Sequence, residues 1–177
     1  MSQEPDVHER EAVELKFRPT SQDCTGALRA RARVSAESRR HRLLGCLLLA
    51  AEAALAGAEL GLDVDFPVIL YALGCVVGPL MFLTPWLTGR QMWGYVKRQG
   101  EFRVRVDEDG LTVAMDHSSG TVTWAAQPRY VETGELFVLL SDDRNATGIT
   151  VLAKRGAAGP ADVDRLRAMF DRHLTRV

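Results

Sequence analysis

The chain has 177 residues and a nearly balanced charge, with 22 Lys and Arg against 23 Asp and Glu. A net charge of −1 gives no overall bias toward nucleic acid, and an odd count of three cysteines argues against a disulfide framework. The averages hide an uneven arrangement, because residues 43–88 contain no Lys or Arg. Alternating apolar and polar blocks are typical of a membrane protein with sizeable aqueous parts, which disfavours a purely soluble chain.

Residues 1–20 are predicted to form an N-terminal tail followed by a strand. The opening residues MSQEPDVHEREAVELKF lack the basic and apolar regions of a signal peptide, so we expect them to stay in place on the cytoplasmic side. In AVELKFR the alternation puts Val13, Leu15 and Phe17 on one face. A lone strand cannot satisfy its backbone, so we expect it to join a sheet formed by later strands.

Residues 21–42 are predicted to form an Arg-rich helix beside the membrane, with six Arg against one Glu in residues 28–42. The lipid-binding candidates in this segment are Arg29, Arg31, Arg33, Arg39, Arg40 and Arg42. Each basic residue near an anionic lipid surface contributes up to about 1 kcal/mol. The other interpretation is that these arginines only set the membrane topology, and the sequence leaves both open.

Residues 43–88 are predicted to form a transmembrane helical hairpin with spans at 43–62 and 66–88. Each span is long enough to cross a core of about 30 Å. Arg39, Arg40 and Arg42 precede the first span, Arg90, Lys97 and Arg98 follow the second, and the link carries only Asp63 and Asp65. By the positive-inside rule we expect a multi-pass protein of the cell inner (plasma) membrane with both termini in the cytoplasm.

Glu52 is the costly residue of the first span. It lies about 13 Å from the inner end at 1.5 Å per residue, near the middle of the bilayer, where a charge costs roughly 2.5–3.5 kcal/mol. Counting depth from the cytoplasmic ends puts it level with Pro79, which leaves the carbonyl of Cys75 without a helical hydrogen bond. A neutral Glu52 would donate a hydrogen bond across the hairpin or between protomers, whereas the functional alternative is a proton or cation site.

Glycines at GxxxG spacing are the predicted helix-packing positions, together with Pro79. Gly57 and Gly61 lie in the first span, and Gly74 and Gly78 lie in the second. Small residues at this spacing let two helix backbones approach closely, within one hairpin or between copies in a homo-oligomer. The same depth count puts Gly57 level with Gly74.

Residues 89–177 alternate like strands and then end in a helix. EFRVRV puts Arg103 and Arg105 opposite an apolar face, and LTVAM, TVTW, RYVET, ELFVLLS and GITVLA follow, separated by turns. Gly159 and Pro160 then open an amphipathic helix. With the N-terminal strand this predicts an α+β membrane protein in which a two-helix hairpin carries a pleckstrin-homology-like β-barrel of about seven strands, capped by a C-terminal helix.

Several stretches resemble the YcxB-like family. DEDGLTV, TVTWAA, YVET, LFVLLS and VLAKRG leading to ADVDRLRAMFDRHL are similar to its C-terminal domain, although Ala153 stands where the family pattern has proline before KR. The two-span hairpin and the preceding strand extend the resemblance over nearly the whole chain. It implies a bacterial membrane protein without an assigned biochemical activity.

No catalytic, metal-binding or cofactor-binding motif is found in the sequence, so we expect no enzyme activity and no cofactor. Three functions stay open. The first is a membrane-anchored protein-interaction or scaffold module, and the second is an anionic-lipid or envelope-stress sensor that uses the Arg-rich helix with Arg103 and Arg105. The third is a small oligomeric transporter or channel subunit around Glu52. Membrane lipids are the expected partners, and nucleic acid is not.

Overall fold

The computed structural model describes residues 12–62, 68–116 and 118–177, and within them the chain is an α+β protein. The described part has four α-helices: α1 (Ser21–Val34), α2 (Ala36–Leu62), α3 (Val68–Val96) and α4 (Pro160–His173). Its eight strands are β1 (Val13–Phe17), β2 (Phe102–Asp107), β3 (Gly110–Ala114), β4 (Ser119–Thr123), β5 (Arg129–Glu132), β6 (Leu136–Leu140), β7 (Ile149–Ala153) and β8 (Thr175–Arg176). Residues 1–11, the turn predicted to hold Asp63 and Asp65, and His117 lie outside the described residues.

The first sheet has the order β1-β2-β3-β4, and all its pairs are antiparallel. Strand β1 joins it through β2, with Val13 opposite Val106 and Leu15 opposite Val104. These side chains face the core and are buried, whereas the residues between them are exposed. The predicted N-terminal strand therefore shares a sheet with strands that follow the hairpin.

The second sheet has the order β7-β6-β5-β8, with the two-residue β8 parallel to β5. All five residues of β6 are buried, because the strand faces the core and is also contacted by α1. This burial explains the uninterrupted apolar sequence LFVLL. In the described residues the two sheets are not joined by strand pairing, so the predicted closed barrel is not observed. A short 3₁₀ turn at Trp124–Ala126 separates β4 from β5 at the point where one sheet ends.

Helix α4 packs at the end of the domain where β2 turns into β3. Phe170 lies in the core, with its ring centroid 5.1 Å from that of Phe137. Trp124 contacts Phe170 edge-on, stacks on His173 and donates from Nε1 to the Glu108 carbonyl at 2.7 Å. His173 in turn lies 2.9 Å from the Glu108 carboxylate. The C-terminal helix predicted from GlyPro thus caps one end of the two sheets.

The Arg-rich segment is not one helix, as residues 21–42 were predicted to be. Helix α1 ends at Val34, and Ser35 has extended backbone angles of φ −62° and ψ 128°. The Ser35 hydroxyl accepts from the Ser38 N–H at 3.3 Å, and the Ala36 N–H donates to the Arg144 carbonyl at 3.0 Å. These contacts end α1 and begin α2, so Arg39, Arg40 and Arg42 belong to the long helix.

Helices α2 and α3 extend beyond the predicted spans of 43–62 and 66–88. Within the described residues, the 23-residue segment Ala36–Ala58 is long and apolar enough to cross a membrane, judged by length and composition alone, and most of it is not buried. A second such segment is not found there. Nine of the ten exposed large hydrophobic side chains in the described part lie on these helices: Leu43, Leu44, Leu47, Leu49, Val76, Leu80, Leu83, Leu87 and Tyr95.

Candidate functional site

Helices α2 and α3 pack against each other through two glycines of α3. The Glu52 carboxyl occupies the space where a Cβ on Gly74 would stand, so a larger residue at that position requires the Glu52 side chain to move. Farther along the pair, Leu49 Cδ2 would lie 3.4 Å from a Cβ on Gly78. The GxxxG spacing of residues 74 and 78 brings the two backbones close together.

The register of this helix pair differs from the predicted one. Glu52 is level with Gly74 rather than with Pro79, which is exposed. A Cβ on Gly57 would meet nothing within 4 Å, so Gly57 makes no packing contact in this chain. The surroundings of Gly61 lie outside the described side chains. The depth count assumed that the two apolar blocks end at one level in the membrane. Both helices in fact continue past the apolar blocks, and the packing of their side chains determines the stagger of α2 relative to α3.

The Glu52 carboxyl is incompletely satisfied. Its Oε1 atom is buried and has no hydrogen-bond partner among the described residues. The predicted hydrogen bond across the hairpin is therefore not made by this oxygen. A buried acceptor without a hydrogen-bond partner is costly. A hydrogen bond to Glu52 from a second copy, or a cation bound at Glu52, stays a prediction.

The six arginines of the predicted lipid-binding segment divide into two groups. Arg31 is half-buried and donates to the Asn145 carbonyl at 3.0 Å, and Arg42 donates to the Ala32 carbonyl at 3.0 Å. The others are exposed, and their side chains have no hydrogen bond or ion pair within the described part: Arg29, Arg33, Arg39 and Arg40. These four positive charges are free to meet an anionic surface.

Arg103 and Arg105 lie on the outer face of the first sheet, on a different element from the six arginines. Arg103 is 3.7 Å from the Glu101 carboxylate, and Arg105 is 3.9 Å from that of Asp107. Lys16 of β1 stands opposite Arg103 and shares the same Glu101 partner at 3.3 Å. Exposed pairs at such distances neutralise one another only weakly.

Helix α1 is fixed to the domain by an ion pair that joins distant parts of the chain. Asp23 is 3% exposed and accepts two hydrogen bonds from Arg155, at 2.8 and 2.5 Å. Burial works to raise the pKa of Asp23, but hydrogen bonds from Arg155 and Thr20 outweigh it and hold the pKa below its usual value. The Thr20 and Asp23 side chains also form a capping box at the start of α1.

Glu132 is a second buried carboxylate with distant partners. It accepts from Lys154 at 2.7 Å and from Arg167 at 2.8 Å and forms an ion pair with Arg176 at 2.9 Å, while only 8% of its side chain is exposed. These partners come from the turn after β7, from α4 and from β8. Hydrogen bonds from Arg167, and further ones from Lys154, lower the pKa of Glu132 to about 2.

An apolar cavity of about 280 Å³ lies between the inner faces of the two sheets, and we name it the base cavity. It lies at the end of the first sheet formed by Phe17 and Phe102, away from α4. Met92 and Val96 of α3 also line it, as does the buried thiol of Cys24. The one charged group in the described lining is Asp23, which Arg155 already pairs.

The base cavity exists partly because an inner-face position has no side chain. Gly120 of β4 stands opposite Val113, whose side chain faces the cavity, and a Cβ on Gly120 would meet nothing within 4 Å. The SSGTVTW pattern marks Gly120 only as a turn residue, so the sequence predicts neither the cavity nor the Asp23 and Glu132 ion pairs. The T-x-x-D capping pattern was the available signal for Asp23.

Within the described residues, no group of three or more His, Cys, Asp or Glu side chains is placed to hold a metal ion. The resemblance to the YcxB-like family stays a prediction from the sequence. Comparison of the chain with protein-family models, curated proteins and solved structures finds no match.

Proposed function

We propose that the chain is an integral membrane protein whose α2–α3 hairpin holds a lipid-binding domain against the cytoplasmic leaflet. The observation that carries the proposal is the belt of exposed apolar side chains on α2 and α3, bounded by unpaired arginines at the domain end. Apolar helices of this length with an unburied surface fit a hydrocarbon environment.

The sheet topology supports a hairpin with both ends on one side. Strand β1 precedes the hairpin, β2 follows it, and the two strands pair directly. The start of α2 and the end of α3 therefore emerge beside the same domain. The positive-inside rule assigns this side to the cytoplasm, because Arg39 and Arg40 flank one helix and Lys97 and Arg98 follow the other.

Arg39 and Arg40 provide the means of binding anionic lipid. They lie at the base of α2, are exposed, and have no acidic partner in the described part of the chain. At up to about 1 kcal/mol each, two such residues give a preference of up to roughly 30-fold for anionic over zwitterionic lipid. This preference weakens as salt is raised.

The test compares lipid retention by the full chain in mild detergent, using native mass spectrometry with phosphatidylglycerol and phosphatidylcholine in competition. Arg39→Gln with Arg40→Gln should lose most of the preference for phosphatidylglycerol. The control is Arg165→Gln with Arg172→Gln, which removes the same charge from α4 at the far end of the domain. An equal loss in both variants would show only a dependence on net charge and would refute the proposal.

A second function, protein interaction by strand addition, is favoured by the exposed edge strand β4. Within the described residues β4 pairs only with β3, and four of its five residues are exposed. Such an edge accepts an added strand through backbone hydrogen bonds. A partner that copurifies at fixed ratio and is lost with Thr121→Pro would support this function, and retention by that variant would oppose it.

A further inference from the structure

We propose that the base cavity binds one acyl chain of a membrane phospholipid. The inference deepens the proposed function and rests on it, because the lipid is drawn from the bilayer that surrounds α2 and α3. It adds a specific site inside the domain to the surface contacts made by the arginines.

The chemistry of the lining selects hydrocarbon. The cavity of about 280 Å³ is partly open and lined mainly by aliphatic, aromatic and thioether side chains, and it is near the lower end of the range for small-ligand pockets. Asp23 has its partner in Arg155, so it offers little to a polar ligand. An apolar cavity without polar partners holds water poorly and favours an apolar occupant.

One helix carries both part of the cavity lining and part of the exposed apolar belt. Met92 and Val96 line it and belong to the same helix as the exposed Leu83 and Leu87. Leu87 precedes Met92 by five residues, about 7.5 Å along the helix axis. Helix α3 therefore connects the lipid-exposed belt to the cavity lining, with Met92 about 140° around the helix from Leu87.

The charge beside the cavity complements a phosphate group. Lys97 and Arg98 directly follow Val96 in a short 3₁₀ turn, are exposed, and have no ion pair within the described residues. A phospholipid with its chain in the cavity would place its phosphate near these cations. A free fatty acid would offer its carboxylate to the same cations, and the experiment below distinguishes the two lipids.

Gly120 gives a position from which a substitution can fill part of the cavity. Its backbone is not in the left-handed region, so a leucine is accommodated there without backbone strain. A leucine at this position would extend from the inner face toward the space beside Val113. Filling this part of the cavity obstructs the acyl site and leaves the helices unchanged.

The experiment uses the full chain in bilayer discs of phosphatidylethanolamine with a minor fraction of phosphatidylglycerol that carries a photoreactive group at the end of one acyl chain. Mass spectrometry locates the labels. We expect labels on α3 at Leu83 or Leu87 and on cavity residues such as Val113 and Ile149. Gly120→Leu should reduce the cavity labels at least tenfold and leave the α3 labels in place.

The control Thr121→Leu adds the same side chain to the outer face of β4 and should leave both sets of labels unchanged. If Gly120→Leu does not fold, Val113→Phe fills the same cavity from the neighbouring strand. Labels on α3 without cavity labels overturn the acyl site but not the proposed function, whereas absence of α3 labels overturns the proposed function itself. Cavity labelling by a photoreactive free fatty acid, but not by the phospholipid, also overturns the inference.

Discussion

Replacing Glu132 by glutamine should destabilise the domain by about 3 kcal/mol at neutral pH. The carboxylate is buried, and the cations around it lower its pKa from an ordinary value of 4.5 to about 2. Each unit of difference between folded and unfolded states corresponds to about 1.4 kcal/mol of stability. Glutamine keeps the shape of the side chain but leaves Lys154, Arg167 and Arg176 without their shared anion.

The lowered pKa of Glu132 determines how its contribution to stability changes with pH. Because the pKa of Glu132 is lower in the folded state than in the unfolded state, its contribution is fully present above about pH 4.5. It is lost progressively as the pH falls toward about 2 and the carboxylate is protonated. The wild type should therefore approach the stability of Glu132→Gln across this acid range.

Thermal unfolding of the full chain in mild detergent, followed by tryptophan fluorescence, measures the difference, since Trp124 packs against Phe170 in the same domain. Glu135→Gln is the control, because Glu135 is an exposed acid three residues along the chain and should change stability by less than about 0.5 kcal/mol. An unchanged stability of Glu132→Gln at neutral pH, or a deficit that stays constant down to about pH 2, would refute the reasoning.

Three further changes test other contacts. Asp23→Asn should lower the free energy of unfolding by about 2 kcal/mol, because it weakens the buried pair with Arg155, and denaturant titration with Arg155→Gln and the double variant checks whether the two effects are coupled. Gly74→Leu should lower the melting temperature in detergent through overlap with the Glu52 carboxyl, and adding Glu52→Ala should recover part of the loss. In protein stripped of lipid, Gly120→Leu should raise stability by about 0.5–2 kcal/mol by filling the cavity, and a lowered melting temperature would contradict the cavity geometry.

The strands and the closing helix could be predicted from the sequence because their signals are local. Alternation in residues 13–17 and 102–106 marks strands with one buried face, and both are observed with that burial pattern. Pro160 after Gly159 correctly marks the start of α4. The burial of Leu166, Met169 and Phe170 follows from their helical spacing.

The break at Ser35 could not be predicted, because its cause is not local. The segment before and after it has good helix formers, yet the Ala36 N–H bonds to the Arg144 carbonyl far along the chain. The stagger of α2 and α3 depends likewise on which side chain meets Gly74 and Gly78. Such choices depend on packing between distant segments, which periodicity within one segment does not encode.

The candidate site was predicted only in part. Unpaired arginines at the base of α2 follow from charge patterning, whereas the base cavity depends on the facing of two sheets and on the missing side chain of Gly120. Glycine in a strand suggests a bulge or a close backbone approach, and neither occurs at this position. The partners of Glu132 are separated from it by 22 residues or more, beyond the reach of local patterns.

The pairing of Val13 with Val106 also determines the order in which the molecule forms during synthesis. Strand β1 leaves the ribosome first, but its partner β2 appears only after the whole hairpin has been made. Such a long-range contact forms slowly, and β1 is exposed to aggregation until β2 is available to pair with it. The first sheet therefore cannot assemble until both long helices have left the ribosome. A folded domain thus indicates that synthesis of the hairpin is complete.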